Sequence, residues 1–297
     1  MSPSRSPAVR RRRLAAELRR LRGNRPGNTV AAGLGWSTSK VSRYEVGKTA
    51  QPFDEVAKLL EFYGVTDPEL GQLLSLARDA NERGWWEDYA EALPEEYQEF
   101  IGLEAEAASV AHWAVEVIPG LLQTEAYATE LHVGYQAVVP IPPHIIESRV
   151  KVRMIRQQLL RREPPLKFSA VLDESVLLRQ VGDAKMMGAQ LQHLAQLADL
   201  PNVQVRVLPL ARPRKLTPNS FTLLGFNPIG ETGRLHDVLS TESAVKSDLY
   251  VEGETDTYHH HLVFQSLVEA SLSPAESQRL IQQIAGRAWP ATDSHGH

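Results

Sequence analysis

The chain has no cysteine among its 297 residues. Disulfides, thiolate nucleophiles and cysteine-based zinc or iron–sulfur sites are therefore excluded. No apolar run reaches the roughly eighteen residues that a membrane-spanning helix needs, so we predict no membrane association. The N-terminal arginine run is followed by LAAELRRLR, which lacks the apolar core of a secretory or twin-arginine signal. We expect a globular, cytoplasmic protein.

The sequence also lacks the common catalytic fingerprints. It contains no H-E-x-x-H pair, G-x-S-x-G turn, phosphate-binding loop or dinucleotide glycine motif. Asp173 and Glu174 follow a predicted strand, where catalytic carboxylates are common, and His259 to His261 are adjacent. Three neighbours on a helix point about 100° apart and cannot all bind one metal. We predict no enzymatic activity, no metal and no cofactor, with the histidine run on a solvated helix face.

Charge is unevenly distributed along the chain. Residues 1–50 contain twelve Lys or Arg and two Glu, a formal charge of +10, whereas the whole chain carries −4 and the remainder therefore −14. A basic segment of this kind supplies affinity for a polyanion, because each neutralised phosphate releases condensed counterions. The N-terminal sixth therefore has the charge distribution of a nucleic-acid-binding region.

The segment LGWSTSKVSRYEVGKT, residues 34–49, predicts a short helix with two different faces. Ser37 is a suitable N-cap, and Gly47 can adopt the left-handed conformation that ends a helix. Val41 and Tyr44 recur at helical spacing, and we place Trp36 with them on the apolar face. We interpret Glu45 as a helix-packing or arginine-pairing residue.

Asn28–Leu34 is a short alanine-rich segment, and Gly35 separates it from the capped helix, so the two predict a helix-turn-helix. In that motif the second helix enters the major groove, where arginine reads guanine and serine or threonine bonds to bases or phosphates. The predicted DNA-binding residues are Ser37, Thr38, Ser39, Lys40, Ser42, Arg43, Arg10, Arg11, Arg12, Arg13 and Lys48. An ordinary amphipathic helix with a solvated polar face is the alternative.

Helical periodicity divides the chain into an N-terminal all-α domain, 9–83, and a second domain, 84–287. Five predicted helices fill the first domain: 9–23, 28–34, 38–46, 53–63 and 67–83. The second has predicted helices at 98–109, 124–133, 143–162, 183–200 and 274–287, and predicted strands at 166–172, 203–209, 220–226, 236–242 and 247–253. The first two strands flank a helix, which favours parallel pairing, and the later strands favour antiparallel pairing. We predict an α+β, mixed fold in which the all-α domain precedes an α/β domain with a mixed sheet covered by helices.

Two segments of the second domain are candidates for a ligand or partner surface. Trp85 and Trp86 predict a hydrophobic hinge between domains or the aromatic floor of a ligand site. The turn VIPGLLQT predicts a buried Pro-Gly turn or the border of a regulatory pocket, and its candidate residues are Gly120, Leu121, Leu122, Gln123 and Thr124. Farther on, Arg149, Arg153 and Arg156 share one helix face, which we interpret as solvated, with a phosphate contact as the alternative.

These segments together resemble a known family. The pattern LGW-S-x-S-K-V-S-R-x-E-x-G behind LRRLR resembles the Cro/repressor-type (xenobiotic-response-element, XRE) helix-turn-helix of actinobacterial regulators. Five later motifs are similar to the C-terminal domain of the Scr1-type antitoxin-like transcriptional regulators, in that family's order: GWWEDYAEALPEEYQEFIGLEAEA, VIPGLLQTEAYA, RQQLL, VLDESVL and SPAES. Two segments depart from it, namely the short connection 22–34 and RLHDVLSTESAVKSDLYVEGETD.

The resemblance implies a regulator that binds double-stranded DNA, with a C-terminal domain for an effector or a protein partner. We expect a homodimer, because one short helix reads only half a site. The resemblance also implies a small acidic protein partner, and hence an alternative in which the chain acts as an antitoxin that sequesters that partner and autoregulates. An enzyme fused to a DNA-binding module is the third reading.

Overall fold

The computed structural model describes residues 7–47, 51–81, 83–212, 219–227, 237–241, 249–251 and 254–290. These residues form two compact units. One unit takes the described residues within Met1–Asp88, Gln98–Glu106 and Phe226–Leu235, and the other takes those within Tyr89–Tyr97, Ala107–Gly225 and His236–His297. The domain boundary placed between residues 83 and 84 stays a prediction.

The N-terminal region is all helical, as predicted. Its helices are α1 (Pro7–Arg22), α2 (Gly27–Leu34), α3 (Thr38–Val46), α4 (Phe53–Tyr63) and α5 (Glu69–Asp79). Apolar residues of all five helices form one core, which includes Leu18 of α1, Val30 of α2, Val41 of α3 and Leu60 of α4. These residues recur at the spacing that gave the helix predictions, so the apolar stripes are the packed faces.

Helix α5 ends earlier than predicted. It ends at Asp79, whereas the sequence predicted a helix through Arg83. The side-chain amide of Asn81 donates to the carbonyl oxygens of Ala77 and Gln51, each at 2.9 Å. The Asn81 side chain thus donates to the Ala77 carbonyl in the last turn, which a backbone amide would have satisfied if the helix had continued.

The remaining helices are α6 (Glu95–Glu106), α7 (Glu125–Tyr135), α8 (Pro143–Arg156), α9 (Ser175–Leu178), α10 (Ala184–Leu197), α11 (Glu254–Ala270) and α12 (Pro274–Ala288). Short 3₁₀ segments span Trp85–Ala92, Gly120–Leu122 and Gln157–Leu160. The strands are β1 (Ser109–Ala114), β2 (Lys167–Asp173), β3 (Val203–Leu208), β4 (Phe221–Gly225), β5 (Val238–Thr241) and β6 (Leu249–Val251).

The six strands form one mixed sheet in the order β3-β2-β1-β4-β5-β6. Strands β1, β2 and β3 run parallel, with Trp113 opposite Val171 and Ala170 opposite Val205. The pairs β1–β4, β4–β5 and β5–β6 are antiparallel. The mixed sheet, with parallel pairing of the strands that flank α10, confirms the predicted fold class.

The sequence prediction missed the central strand β1. It extended a helix to Ser109, but α6 ends at Glu106 and β1 begins at Ser109. The segment VAHW lacks the expected alternation of apolar and polar residues, because His112 is buried between apolar neighbours. Its Nδ1 is hydrogen-bonded to Thr222 Oγ1 at 2.8 Å. A polar residue inside a strand that is paired on both edges conceals the strand pattern.

One face of the sheet packs against α11. Trp113, Val171, Phe221 and Leu239 of the sheet contact Phe264 and Leu267 of α11 in one buried cluster. Helix α12 packs against β3 and α10, and it begins with a capping box formed by Ser273 and Glu276. Among the described residues, no helix is both long and apolar enough to cross a membrane.

Candidate nucleic-acid interface

Helix α3 has the boundaries that its sequence predicts. The Ser37 Oγ accepts the Lys40 amide at 3.3 Å, and Gly47 ends the helix at φ +70°. A Cβ on Gly47 would lie 2.8 Å from the Arg11 carbonyl oxygen. Glycine is therefore required here both by the left-handed backbone and by the close approach of α1.

The inner face of α3 is part of the core. Val41 and Tyr44 are buried, and the rings of Trp36 and Tyr44 meet edge to face with centroids 5.6 Å apart. Glu45 is also buried, and its Oε1 accepts from Arg22 Nε at 2.6 Å. The predictions that Glu45 pairs with an arginine and that the apolar face packs inward are confirmed.

The outer face of α3 is open to solvent. Thr38, Ser39, Ser42 and Arg43 are all exposed, and Arg43 makes no ion pair within the described part of the chain. A helix with a packed inner face and short polar groups beside an unpaired guanidinium can enter a major groove. DNA contact by these residues stays a prediction.

Lys40 differs from its neighbours on α3. Its Nζ lies 2.7 Å from Glu55 Oε1 and 4.2 Å from the centroid of the Trp36 ring. The Tyr44 hydroxyl donates to the other oxygen of Glu55. Hydrogen bonds from Lys40 and Tyr44 lower the pKa of the Glu55 carboxyl, so this carboxylate stays charged and compensates Lys40. The arrangement favours a structural role for Lys40 over its predicted DNA contact, which stays untested.

The arginine run of α1 is largely turned inward. Arg10 is 4% exposed, and its guanidinium pairs with Asp79 at 3.3 Å and Glu106 at 3.4 Å. Arg12 pairs with Glu99, and Arg13 lies over the Phe226 ring with 5.7 Å to its centroid. These contacts explain the dense arginine run as a packing feature of the first compact unit.

The Nε atoms of Arg11 and Arg13 are enclosed and have no hydrogen-bond partner among the residues that the structure describes, and burial lowers the pKa of both guanidinium groups. A phosphate reaches such side chains only if they leave their present positions. The DNA contacts predicted for Arg10, Arg11, Arg12 and Arg13 therefore stay predictions that this geometry does not favour. Lys48 lies outside the described residues.

Two residues that the sequence analysis did not select lie at the start of α2. Asn28 and Thr29 are exposed in its first turn, and the N-cap residue Pro26 provides no side-chain hydrogen bond to that turn. The Thr29 amide donates to the Pro26 carbonyl at 3.0 Å, and a helix N-terminus that no side chain caps favours phosphate oxygens. The signal was present in the sequence, since a Pro-Gly pair directly precedes Asn28.

The predicted ligand or partner residues lie mainly inside the fold. Trp86 is buried, and its ring meets that of Trp85 at a centroid distance of 5.8 Å and an angle of 87°. Leu121 and Leu122 are also buried, which favours the structural interpretation of both motifs. A ligand or partner role for Trp85, Trp86 and residues 120–124 is not tested.

Buried hydrogen bonds fix the turn that contains Gly120, Leu121, Leu122, Gln123 and Thr124. Gln123 is 1% exposed and donates to the Ile118 carbonyl at 2.6 Å. Gln190 of α10 accepts the Thr124 amide at 2.7 Å and donates to the Leu122 carbonyl at 2.8 Å. The Thr124 side chain accepts the Tyr127 amide and so caps α7. The turn is a rigid connection between β1 and α7.

The candidate catalytic residues do not converge. His261 Nε2 lies 2.7 Å from Asp237 Oδ2, and His260 stacks edge to face with Phe221 at 5.1 Å. Asp173 is buried, and its Oδ1 accepts the Ser175 amide at 3.1 Å. Within the ranges that the structure describes, no three His, Cys, Asp or Glu side chains are grouped as a metal site would need.

Comparison with known proteins finds two domain models that match successive parts of the chain. Residues 13–73 match the model of a helix-turn-helix domain, which contains α2 and α3. Residues 97–283 match the model of a domain of unknown function, DUF5753, and no curated protein matches the chain. Because the second match covers more than half of the sequence, behind a helix-turn-helix domain, the chain belongs to the DUF5753 family.

Proposed function

We propose that this protein is a sequence-specific DNA-binding transcriptional regulator of the XRE type. The observation that carries the proposal is the exposed face of α3, where Thr38, Ser39, Ser42 and Arg43 lie opposite the buried Val41 and Tyr44. The match of residues 13–73 to a helix-turn-helix domain supports the same function. In this proposal the DUF5753 domain binds an effector or a protein partner.

Each exposed residue of α3 has a defined role in this proposal. Arg43 reads a guanine by two hydrogen bonds, and Ser39 and Ser42 bond to base edges or phosphates. The methyl group of Thr38 contacts a thymine. The first turn of α2, with Asn28 and Thr29, binds a backbone phosphate and fixes the register of α3 in the groove.

A homodimer completes the proposed DNA site. Helix α3 has nine residues, which is enough to read a half-site of a few base pairs. Two copies of the chain on a two-fold operator place two α3 helices in successive major grooves, about 34 Å apart. Dimer formation therefore supplies both the affinity and the length of the recognised sequence.

Selection of duplexes from a random DNA pool by the full chain, followed by binding measurements on the recovered sequence, tests the proposal. Arg43→Ala should weaken binding by about 1–3 kcal/mol and relax the preference at one or two base pairs. Lys58→Ala is the matched control, because it removes an exposed positive charge from α4. An unchanged sequence preference in Arg43→Ala would contradict recognition by α3.

Sequestration of a small acidic protein is a second candidate function, and one observation favours a protein partner. Tyr135, the last residue of α7, is 54% exposed, and Val138 and Val139 in the turn after it are 82% and 59% exposed, although all three are large and apolar. Exposed apolar residues that are adjacent in space typically mark interaction sites. Co-elution of the chain with the product of a neighbouring short reading frame, and its loss in Val138→Asp, would support this function, and co-elution that survives this change would exclude the surface.

A further inference from the structure

The arginines of α8 form one stripe that packs against neighbouring segments of its own unit. Arg149, Arg153 and Arg156 are spaced by four and three residues, so they share a helix face. Arg156 is 6% exposed, its guanidinium lies 5.3 Å from the centroid of the Tyr97 ring, and its Nη1 donates to the Tyr97 hydroxyl. The predicted solvated face is therefore wrong for Arg156.

Arg149 and Arg153 are half-buried and are held by neutral groups. Arg149 Nε donates to the Ala92 carbonyl at 2.8 Å, and Arg153 Nη1 donates to Gln123 Oε1 at 2.8 Å. Neither makes an ion pair with any carboxylate of the described chain. Burial of a cation without an anion is unfavourable, and it lowers the pKa of Arg149. Within the part of the chain that the structure describes, two neighbouring cations on one helix face therefore lack a counter-charge.

Further unsatisfied groups lie at the same place. The Nε of Arg153 and the Nε2 of His132, on the adjacent helix α7, are enclosed and have no hydrogen-bond partner among the described residues, so a phosphate bonds to these two atoms only if the side chains shift, as at Arg11 and Arg13. Burial, together with the charges of Arg153 and Arg149, lowers the pKa of His132 to about 3. The imidazole is thus neutral at physiological pH and supplies no charge of its own, and α7, which carries His132, packs against α8, which carries both arginines.

We propose that Arg149 and Arg153 of α8, beside His132 of α7, bind the dianionic phosphate group of a small molecule. Guanidinium forks match the oxygens of phosphate, and a phosphate monoester carries about two negative charges, which two arginines neutralise. A carboxylate carries a single negative charge and therefore neutralises only one of the two arginines. The inference deepens the proposed effector-binding role of the DUF5753 domain. Phosphate binding does not depend on the proposed function, whereas an effect of phosphate on operator binding rests on it.

Calorimetric titration of the full chain with inorganic phosphate, in a phosphate-free buffer, tests the site. The wild-type chain should bind phosphate, and acetate should bind more weakly. Arg153→Gln and Arg149→Gln should each weaken phosphate binding by about tenfold or more, since each removes a charged hydrogen bond. Arg179→Gln, which removes an exposed arginine of the same unit, should leave the affinity unchanged. Absence of phosphate binding by the wild type, or equal loss in Arg179→Gln, would overturn the proposal.

The pKa of His132 can be measured in the wild-type chain, so this second test needs no variant that must fold. Saturating phosphate should raise the pKa of His132 in the wild-type chain, because the anion offsets the charges of Arg153 and Arg149. A His132 titration that phosphate does not move places the anion elsewhere. Arg153→Lys, which keeps the charge and loses the fork, should bind phosphate with intermediate affinity.

Operator binding is measured separately, with and without phosphate. Phosphate binding together with a failure to bind any selected duplex would leave the anion site intact and remove the proposed DNA function. If Arg153→Gln lowers the salt dependence of DNA binding, the two arginines bind backbone phosphate of DNA, and the small-molecule site is wrong.

Discussion

Helices α1 and α8 are both rich in arginine, but their guanidinium groups meet different partners. Arg10 of α1 faces the carboxylates of Asp79 and Glu106, whereas Arg149 and Arg153 of α8 face a carbonyl oxygen and an amide. Buried charge is stable when it is paired within the chain, and otherwise it requires a partner from outside. An arginine run in a sequence therefore does not by itself indicate an external anion, since its arginines need one only where the fold places no carboxylate beside them.

Replacement of Arg10 should have the largest effect on stability. Arg10→Met removes one ion-pair partner of Glu106, whose side chain is only 9% exposed, and one of Asp79. The loss of one member of a buried ion pair lowers the free energy of unfolding by about 3 kcal/mol or more. Urea titration of the full chain measures it, with hydrogen exchange of the α1 amides as the local readout.

Arg153→Met is the matched change in α8. It replaces a guanidinium that donates a hydrogen bond to Gln123 but has no ion pair among the described residues, so without phosphate it should change the free energy of unfolding by less than about 1.5 kcal/mol. A loss in Arg153→Met as large as that in Arg10→Met would remove the distinction between the two helices.

The next effect is a dependence of stability on pH that originates at α8. The folded pKa of His132 is about 3, whereas the unfolded value is about 6.5, so between these values only the unfolded chain binds the proton. The free energy of unfolding should therefore fall as the pH falls through about 6.5, by up to about 1.4 kcal/mol per pH unit.

His132→Gln should remove this component of the pH dependence and leave that of His193, whose pKa is also lowered by burial and by Arg161. Arg153→Gln should raise the pKa of His132 because a nearby positive charge is lost. An unchanged pH profile in His132→Gln would show that the imidazole is not enclosed near the arginines.

A smaller effect is expected for Arg12, which pairs with Glu99 at a more exposed position. Their side chains are 24% and 34% exposed, so solvent screens the interaction. Arg12→Met should lower the free energy of unfolding by less than about 1 kcal/mol, measured beside Arg10→Met by the same urea titration. Equal losses of the free energy of unfolding in Arg12→Met and Arg10→Met would mean that the size of the loss depends on ion pairing and not on burial.

The sequence predicted the features that depend on local order. The boundaries of α3 follow from Ser37 and Gly47, and the parallel pairing of β2 and β3 follows from the helix between them. It did not predict β1, because a buried histidine in that strand is satisfied by Thr222, a residue far along the chain. Such pairings depend on tertiary structure.

The same limit applies to the candidate site. Exposure of Arg43 could be anticipated from helical spacing, since the apolar face of α3 fixes which residues point outward. The pairing of Arg10 with Asp79 and Glu106 could not, because it joins residues about seventy and a hundred positions apart. Charge counting over residues 1–50 omitted the acidic partners beyond residue 50 and so overstated the charge that faces solvent.

The salt dependence of operator binding tests most directly the claim that the arginines of α1 are structural while α3 meets DNA. The affinity of the full chain for its selected duplex is measured across a salt series, with a double variant Arg12→Gln, Arg13→Gln and with Arg43→Gln. We predict that the double variant keeps the wild-type slope, and that Arg43→Gln weakens binding by about 1–3 kcal/mol. A slope reduced by about 0.9 for each α1 arginine removed, with no effect of Arg43→Gln, would contradict the account.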